Sequence, residues 1–220
     1  MPNISPNHPY QDYVFKSGKF VGHFEEMYRD SVDVPWHQDE TAHAIFSDMC
    51  VTIIRHCQPA SLLDVGCGLG YMAERFRREV PGLSNVVGMD ISATAAAEAA
   101  KMFPAVRFLA GEMKSVRLDE TFDVVVSKDV LWYVVDDLGG YINALAARSN
   151  KWIYIGQSFP ETRPYYGETQ LPNAEALFHT LEKSGLELSY QLVERDARYG
   201  NREYAHALLK TRQSGSSPLV

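Results

Sequence analysis

The sequence predicts an α/β fold, a doubly wound sheet with helices on both faces. Two patterns carry the prediction. Short apolar or β-branched runs alternate repeatedly with helical stretches from Ser61 onward. The last two runs, about Leu188 to Arg195 and Glu203 to Lys210, then follow one another across Tyr199-Gly200-Asn201, a turn signal, as a closing hairpin. The chain is organised around its first strand and turn, Ser61 to Phe76 (SLLDVGCGLGYMAERF). Leu62, Leu63 and Val65 form the apolar run of a strand covered on both faces. Gly66, Gly68 and Gly70 let the backbone turn sharply and let a ligand lie against the main chain. A helix over Tyr71 to Val80 then points its free N–H groups at whatever occupies the turn.

Before that strand, residues 1–58 are expected to form an N-terminal cap or lid and a first helix. Pro2, Pro6 and Pro9 are followed by Tyr10, Tyr13, Phe15, Phe20, Phe24, Met27 and Tyr28, an aromatic content foreign to disordered tails. Val34 to Gln38 reads as a loop. Asp39 and Glu40 suit a helix N-terminus. Ala42, Ile45, Phe46, Met49 and Ile53 give that helix one apolar face, and Pro59 stops it.

Residues 59–212 are expected to form the core. Strands are predicted at Asn85–Asp90, Val106–Ala110, Phe122–Lys128 and Lys151–Gly156. Helices are predicted over Ala93–Phe103, Leu138–Arg148 and Ala174–Lys183, the last capped by Gly185. Residues 213–220 are rich in Ser, Gly and Pro and read as a flexible tail.

Composition narrows the function. The 220 residues are 45% hydrophobic and 22% charged, enough apolar material for one sizeable core. A net charge of −7 disfavours nucleic acid as partner, since phosphate backbones call for a basic face. Arg75, Arg77 and Arg78 are the tight basic cluster and are read as a solvated helix face. Cys50, Cys57 and Cys67 lack C-x-x-C spacing, which argues against a disulfide framework or a zinc site. No apolar run reaches membrane-spanning length, and the N-terminus reads as having no signal peptide. A cytoplasmic location is the expectation.

The turn itself separates two ligand classes. The dinucleotide fingerprint G-x-G-x-x-G would place its third glycine at Tyr71. Leu62-Leu63-Asp64-Val65-Gly66-Cys67-Gly68-Leu69-Gly70 instead resembles motif I of the class I S-adenosylmethionine (SAM) methyltransferases, without a gap. The closing hairpin is similar to that family's antiparallel seventh strand. The resemblance covers about Ala60 to Arg212. It implies a seven-stranded, mostly parallel sheet and SAM as cofactor, with S-adenosylhomocysteine (SAH) as product. It implies methyl transfer to an O or N atom of a small molecule, such as a sugar or secondary metabolite. An NAD-linked oxidoreductase and a non-catalytic SAM-binding adaptor subunit are the alternatives.

In an open α/β sheet the ligand lies beyond the C-terminal strand ends, which selects the candidate residues. Gly66, Cys67, Gly68 and Gly70 form the turn; Cys67 is either a nucleophile or a small packing residue. Asp90 can accept hydrogen bonds from a ribose diol, with Ile91 beside it, or can cap the next helix, for which Ser92 also serves. The resemblance assigns Asp64 to organising the turn and, through neighbours, the cofactor's amino group. It brings Glu112 toward the adenine amino group, where the family usually has Asp. Met113 packs on the adenine or in the core. Ser127 to Leu131 resembles motif IV of small-molecule methyltransferases, in which Lys128 and Asp129 border the methionine part and the acceptor. Asp129 is a general base, an orienting group or a helix cap. Trp36 and His37, with Tyr28 and Gln38, belong to one lid segment. Phe159 to Gly167, with Tyr165 and Tyr166, belongs to a second. Aromatic faces there exclude water and attract the sulfonium. Tyr28, Tyr133, Tyr165 and Tyr166 are expected to bind substrate. His37 is the histidine placed to act as a base, or an ordinary loop residue. No metal ligand set is visible.

Overall fold

A computed structural model describes residues 10–160, 165–196 and 202–211. The predicted turn at 199–201, the tail at 213–220 and part of the second lid segment, 161–164, lie outside them.

The central strand β3 (Ser61–Val65) lies between β4 (Asn85–Asp90) and β6 (Phe122–Lys128), parallel to both. β5 (Arg107–Ala110) extends the sheet on one side. β7 (Ser149–Phe159), β9 (Arg202–Lys210) and β8 (Glu187–Asp196) extend it on the other. The order is β5-β4-β3-β6-β7-β9-β8, and β9 runs antiparallel to both neighbours. The expected seven-stranded sheet with its closing hairpin is therefore present.

Side-chain alternation along each strand splits the core into two layers. Leu63, Val125, Ile153 and Leu209 face α6 (Leu138–Ala146) and α7 (Ala174–Glu182). Leu62, Val124, Tyr154 and Leu208 face α3 (Ile45–Cys57) and α4 (Tyr71–Glu79). α5 (Ala93–Met102) follows β4 and is capped by Ser92, whose Oγ accepts from Ala95 N at 3.1 Å.

The cap departs from expectation in three ways. Phe15–Lys16 (β1) and Lys19–Phe20 (β2) form a small hairpin. Its turn residues Ser17 and Gly18 both have positive φ, 51° and 74°, the geometry that matches hairpin twist. The helix α1 (Phe24–Asp30) follows. The predicted single helix from Asp39 is two, α2 (Gln38–Thr41) and α3, because Ala44 is extended at φ −76°, ψ 158°. Ser47 Oγ donates to Thr41 O at 2.7 Å and Arg75 Nη1 to Ala42 O at 2.5 Å, which satisfies carbonyls the break exposes. The buried face of α3 is also rotated from the predicted one: Ser47, Cys50, Val51 and Ile54 point inward, while Ile45 is 48% exposed.

Arg75 is likewise not part of a solvated face. Its side chain is 11% exposed and bridges α4 to α3 through Asp48 (2.5 Å), with Glu79 (2.9 Å) on its own helix. β7 runs longer than predicted because Gln157 and Ser158, polar by sequence, pair with Ala205 and Tyr204 of β9.

Candidate active site

A cavity of about 1010 Å³ opens at the C-terminal ends of the parallel strands, beneath the N-terminal cap. Asp64, Gly66, Cys67, Asp90, Ile91, Glu112, Met113, Lys128 and Asp129 line it from the sheet side, and Tyr28, Trp36, His37 and Tyr133 from the cap side. Gly68 and Gly70 shape the turn without lining the cavity. Tyr165 and Tyr166 also stand outside its lining. The Tyr165 hydroxyl donates to Pro172 O at 2.8 Å and its ring meets Trp132 edge-on. Tyr166 donates to Asp136 at 2.8 Å and stacks on Phe20. Both hold the second segment against the domain.

The turn after β3 is built by its glycines. Gly66, Gly68 and Gly70 have φ of 74°, 53° and 82°, the left-handed region. Gly66 N and Cys67 N both donate to Met89 O, at 2.7 and 3.0 Å, which docks the turn on β4. A β-carbon at Gly66 would strike Val130, and one at Gly68 would strike the Gln38 amide. Gln38 reaches down from the cap: its Oε1 accepts from Leu69 N at 2.8 Å, and its Nε2 donates to the Tyr28 hydroxyl at 3.2 Å.

Two buried carboxylates flank this turn. Asp90 Oδ2 accepts from Gly68 N at 2.8 Å and Oδ1 from Ser92 N at 2.9 Å. Each oxygen keeps a second lone pair for a hydroxyl donor. Burial pushes its carboxyl up to about 6, against the pull of those backbone bonds. Asp64 is 3% exposed, and its Oδ2 is buried with no hydrogen-bond partner. Burial, with Asp90 nearby, pushes its carboxyl up to about 7, and Lys128 opposes. A buried carboxylate without donors is costly, so this oxygen is suited to a cationic or N–H donor from a ligand. The cofactor's α-amino group is such a donor, and Asp90's spare lone pairs suit its ribose. On these observations the residues present fit SAM. Cys67 is not poised as a nucleophile: burial, then Asp90 and Asp64, push its thiol well up.

At the end of β6, Asp129 sits in the left-handed region at φ 57°, a strained conformation for a residue with a β-carbon. Its Oδ1 accepts from Ser158 N at 3.0 Å; its Oδ2 accepts from Lys128 Nζ at 2.8 Å and from the Tyr204 hydroxyl at 3.2 Å. Burial would raise its carboxyl, but Lys128 and these bonds outweigh it and hold the group below its ordinary value. It is an ionised acceptor held in place by three donors. Glu112 is exposed at the cavity wall, and Met113 is both core and lining. His37 is exposed at the rim with Tyr10 edge-on at 6.0 Å, and Trp36 and Tyr133 pack among Phe15, Phe20 and Phe24.

Four contributors escaped the sequence. Glu25 of α1 accepts from Ser92 Oγ (2.7 Å), Thr94 Oγ1 (2.5 Å) and Thr94 N (3.2 Å), fastening the cap beside Asp90. No local pattern marks it. Gln157 is fully buried and its Oε1 accepts from Leu131 N at 3.0 Å, fixing the segment after Asp129. Tyr204 and Glu194 come from the closing hairpin. Their signal was a polar residue at alternate positions, Tyr204 with His206 and Glu194 with Asp196, on strands otherwise expected to be structural.

The chain is similar to known proteins in part of its sequence and in its fold. Residues 62–148 match a family described as a methyltransferase domain. The structure resembles magnesium protoporphyrin IX methyltransferase from Synechocystis PCC 6803 solved with bound SAH (TM-score 0.62, 18% identity, 92% of this chain and 98% of that one). The family match is confined to residues 62–148, whereas the likeness in fold extends over most of the chain. N-methyltransferase NodS from Bradyrhizobium japonicum WM9, in complex with SAH, is similar at TM-score 0.62 and 16% identity, over 82% of this chain and 93% of that one. By sequence, a ubiquinone biosynthesis O-methyltransferase of Rhodopseudomonas palustris (strain TIE-1) is 35% identical over 91 residues, 39% of this chain. The match spans 34% of that relative's length. Among the described residues no helix is long and apolar enough to cross a membrane, and no group of three His, Cys, Asp or Glu side chains is placed to hold a metal ion.

Proposed function

We propose that this chain is an enzyme that transfers the methyl group of SAM to an oxygen or nitrogen of a small molecule. The observation that carries the reading is Asp64: a buried carboxylate oxygen without a partner, beside a glycine turn, at the wall of a cavity large enough for two ligands. When bound, SAM supplies a methyl carbon already activated by its sulfonium. The protein's task is then to orient, to exclude water and to move a proton only where the acceptor must lose one.

Asp64 takes the ammonium of the methionine part, Asp90 the ribose hydroxyls and Glu112 the adenine edge. Tyr28, Trp36 and Tyr133 close the cavity from above and present aromatic faces to the cation. Asp129, held ionised by Lys128, orients the acceptor rather than taking its proton, since a carboxylate lowered below its ordinary value is a weak base. His37, at the rim, is the proton acceptor for hydroxyl substrates.

The test is incubation with SAM labelled at the methyl carbon and a panel of small phenols, sugars and amines. Label recovered in an acceptor, with one SAH formed per methyl moved, supports the reading. SAH binding without transfer to any acceptor would favour the adaptor role instead.

A further inference from the structure

The end of the cavity away from the glycine turn has its own charge pattern, and that pattern selects what can enter. It lies over β7, β9 and β8 on the face covered by α3. Phe46, at the start of α3, stacks on Tyr204 at 4.7 Å and 13°. The Lys128 ammonium sits over both rings, at 4.7 and 5.6 Å, and is neutralised by Asp129. Asp196 and Arg202, opposite each other across β8 and β9, carry opposite charges and leave the balance unchanged.

Glu194 is different. It lines the cavity with its side chain 16% exposed, and its Oε1 is buried without a hydrogen bond. Its Oε2 faces Nε2 of His206 at 3.6 Å, beyond hydrogen-bond reach. His206 is fully buried, and that Nε2 has no partner either; its Nδ1 bonds the Tyr154 hydroxyl at 2.7 Å. Burial, with Lys128 nearby, pushes His206 down to about 4, so the ring is neutral and gives Glu194 no counter-charge. Burial raises the Glu194 carboxyl above its ordinary value, and Asp196 and Asp48 add to that, so its charge lacks compensation within the protein. A mostly buried carboxylate in this state gains from a cation.

Resting on the methyltransferase reading, we propose that the acceptor carries a protonated amine, held by Glu194 as its counter-charge. A protonated amine has no lone pair to receive a methyl. The amine at Glu194 is therefore an anchor, and the methyl goes to another oxygen or nitrogen of the same molecule, nearer Asp129. Glu194 is a specificity residue: it admits cationic acceptors and repels carboxylates and phosphates.

The test uses the SAH-loaded protein, titrated calorimetrically with three phenols of similar size: tyramine, 4-ethylphenol and 4-hydroxyphenylacetate. Tyramine is expected to bind at least about ten-fold tighter than 4-ethylphenol, equivalent to about 1.4 kcal/mol, with the carboxylate weakest. Glu194→Gln, near-isosteric, is expected to bring tyramine to within about two-fold of 4-ethylphenol while SAH affinity confirms the fold. Equal binding of the three by the unaltered protein, binding of none, or a preference that survives Glu194→Gln would overturn the proposal. Failure of SAH itself to bind would instead overturn the methyltransferase reading on which it rests.

Discussion

Replacing Asp64 by Asn separates the stability of the fold from the function of the site. The folded-state carboxyl is pushed up to about 7 from an ordinary 3.8, mainly by burial. Between those two values the folded chain holds a proton that the unfolded chain has lost, so stability falls as pH rises through that window. Above about 7 the full penalty is present. A shift of about three units corresponds to a ceiling of about 4 kcal/mol. An amide still has to be buried, so about half of that, roughly 2 kcal/mol, is the expected gain for Asp64→Asn at pH 8. For a chain of this size that raises Tm by roughly 4–8 °C. At pH 5 the gain should shrink by more than half, because the wild-type carboxyl is then mostly protonated. Ligand affinity moves the other way. Loss of a charge-assisted bond, roughly 1.5–3 kcal/mol, weakens SAH by about ten-fold or more. Scanning calorimetry without ligand at the two pH values, with SAH titration alongside, reads both effects. A variant less stable than wild type at pH 8, or one that binds SAH equally well, would refute the account of Asp64.

Three further outcomes follow from the contacts around the cavity. Asp90→Ala is expected to weaken SAH by about ten-fold or more in a calorimetric titration, with the circular dichroism of the fold retained, since the loss falls on a ligand-facing carboxylate. Glu25→Ala removes the three bonds that fasten α1 to the start of α5; amide hydrogen exchange over residues 10–40 should quicken well before exchange in β3 does. Arg75→Met takes away the bridge to Asp48 and the cover on Ala42 O. Denaturant unfolding should show a loss of about 1–3 kcal/mol, whereas a truly solvated arginine would cost next to nothing.

The sheet could be read from the chain because its strands are apolar on both faces and separated by helices, a pattern that leaves few topologies. Leu62–Val65 and Phe122–Val126 announce themselves. The glycine turn and Asp90 were visible for a related reason: backbone conformation and a strand-end carboxylate are both local properties. Features that depend on distant partners were not. Ser47 points into the core although it is polar, and the break at Ala44 is stabilised by Arg75, far along the chain. Glu25 looks like any acidic residue in a first turn until Ser92 and Thr94 are folded against it. Tyr165 and Tyr166 illustrate the converse. An aromatic loop near the site suggested substrate contact, yet their hydroxyls are engaged by Pro172 and Asp136.

The measurement closest to the central claim is a calorimetric titration of the purified chain with SAH and, separately, with NADH. One site of about micromolar affinity for SAH and none for NADH is the expected result, and it places the glycine turn, Asp64 and Asp90 at work on the cofactor. NADH binding, or no SAH binding to a folded chain, would contradict it.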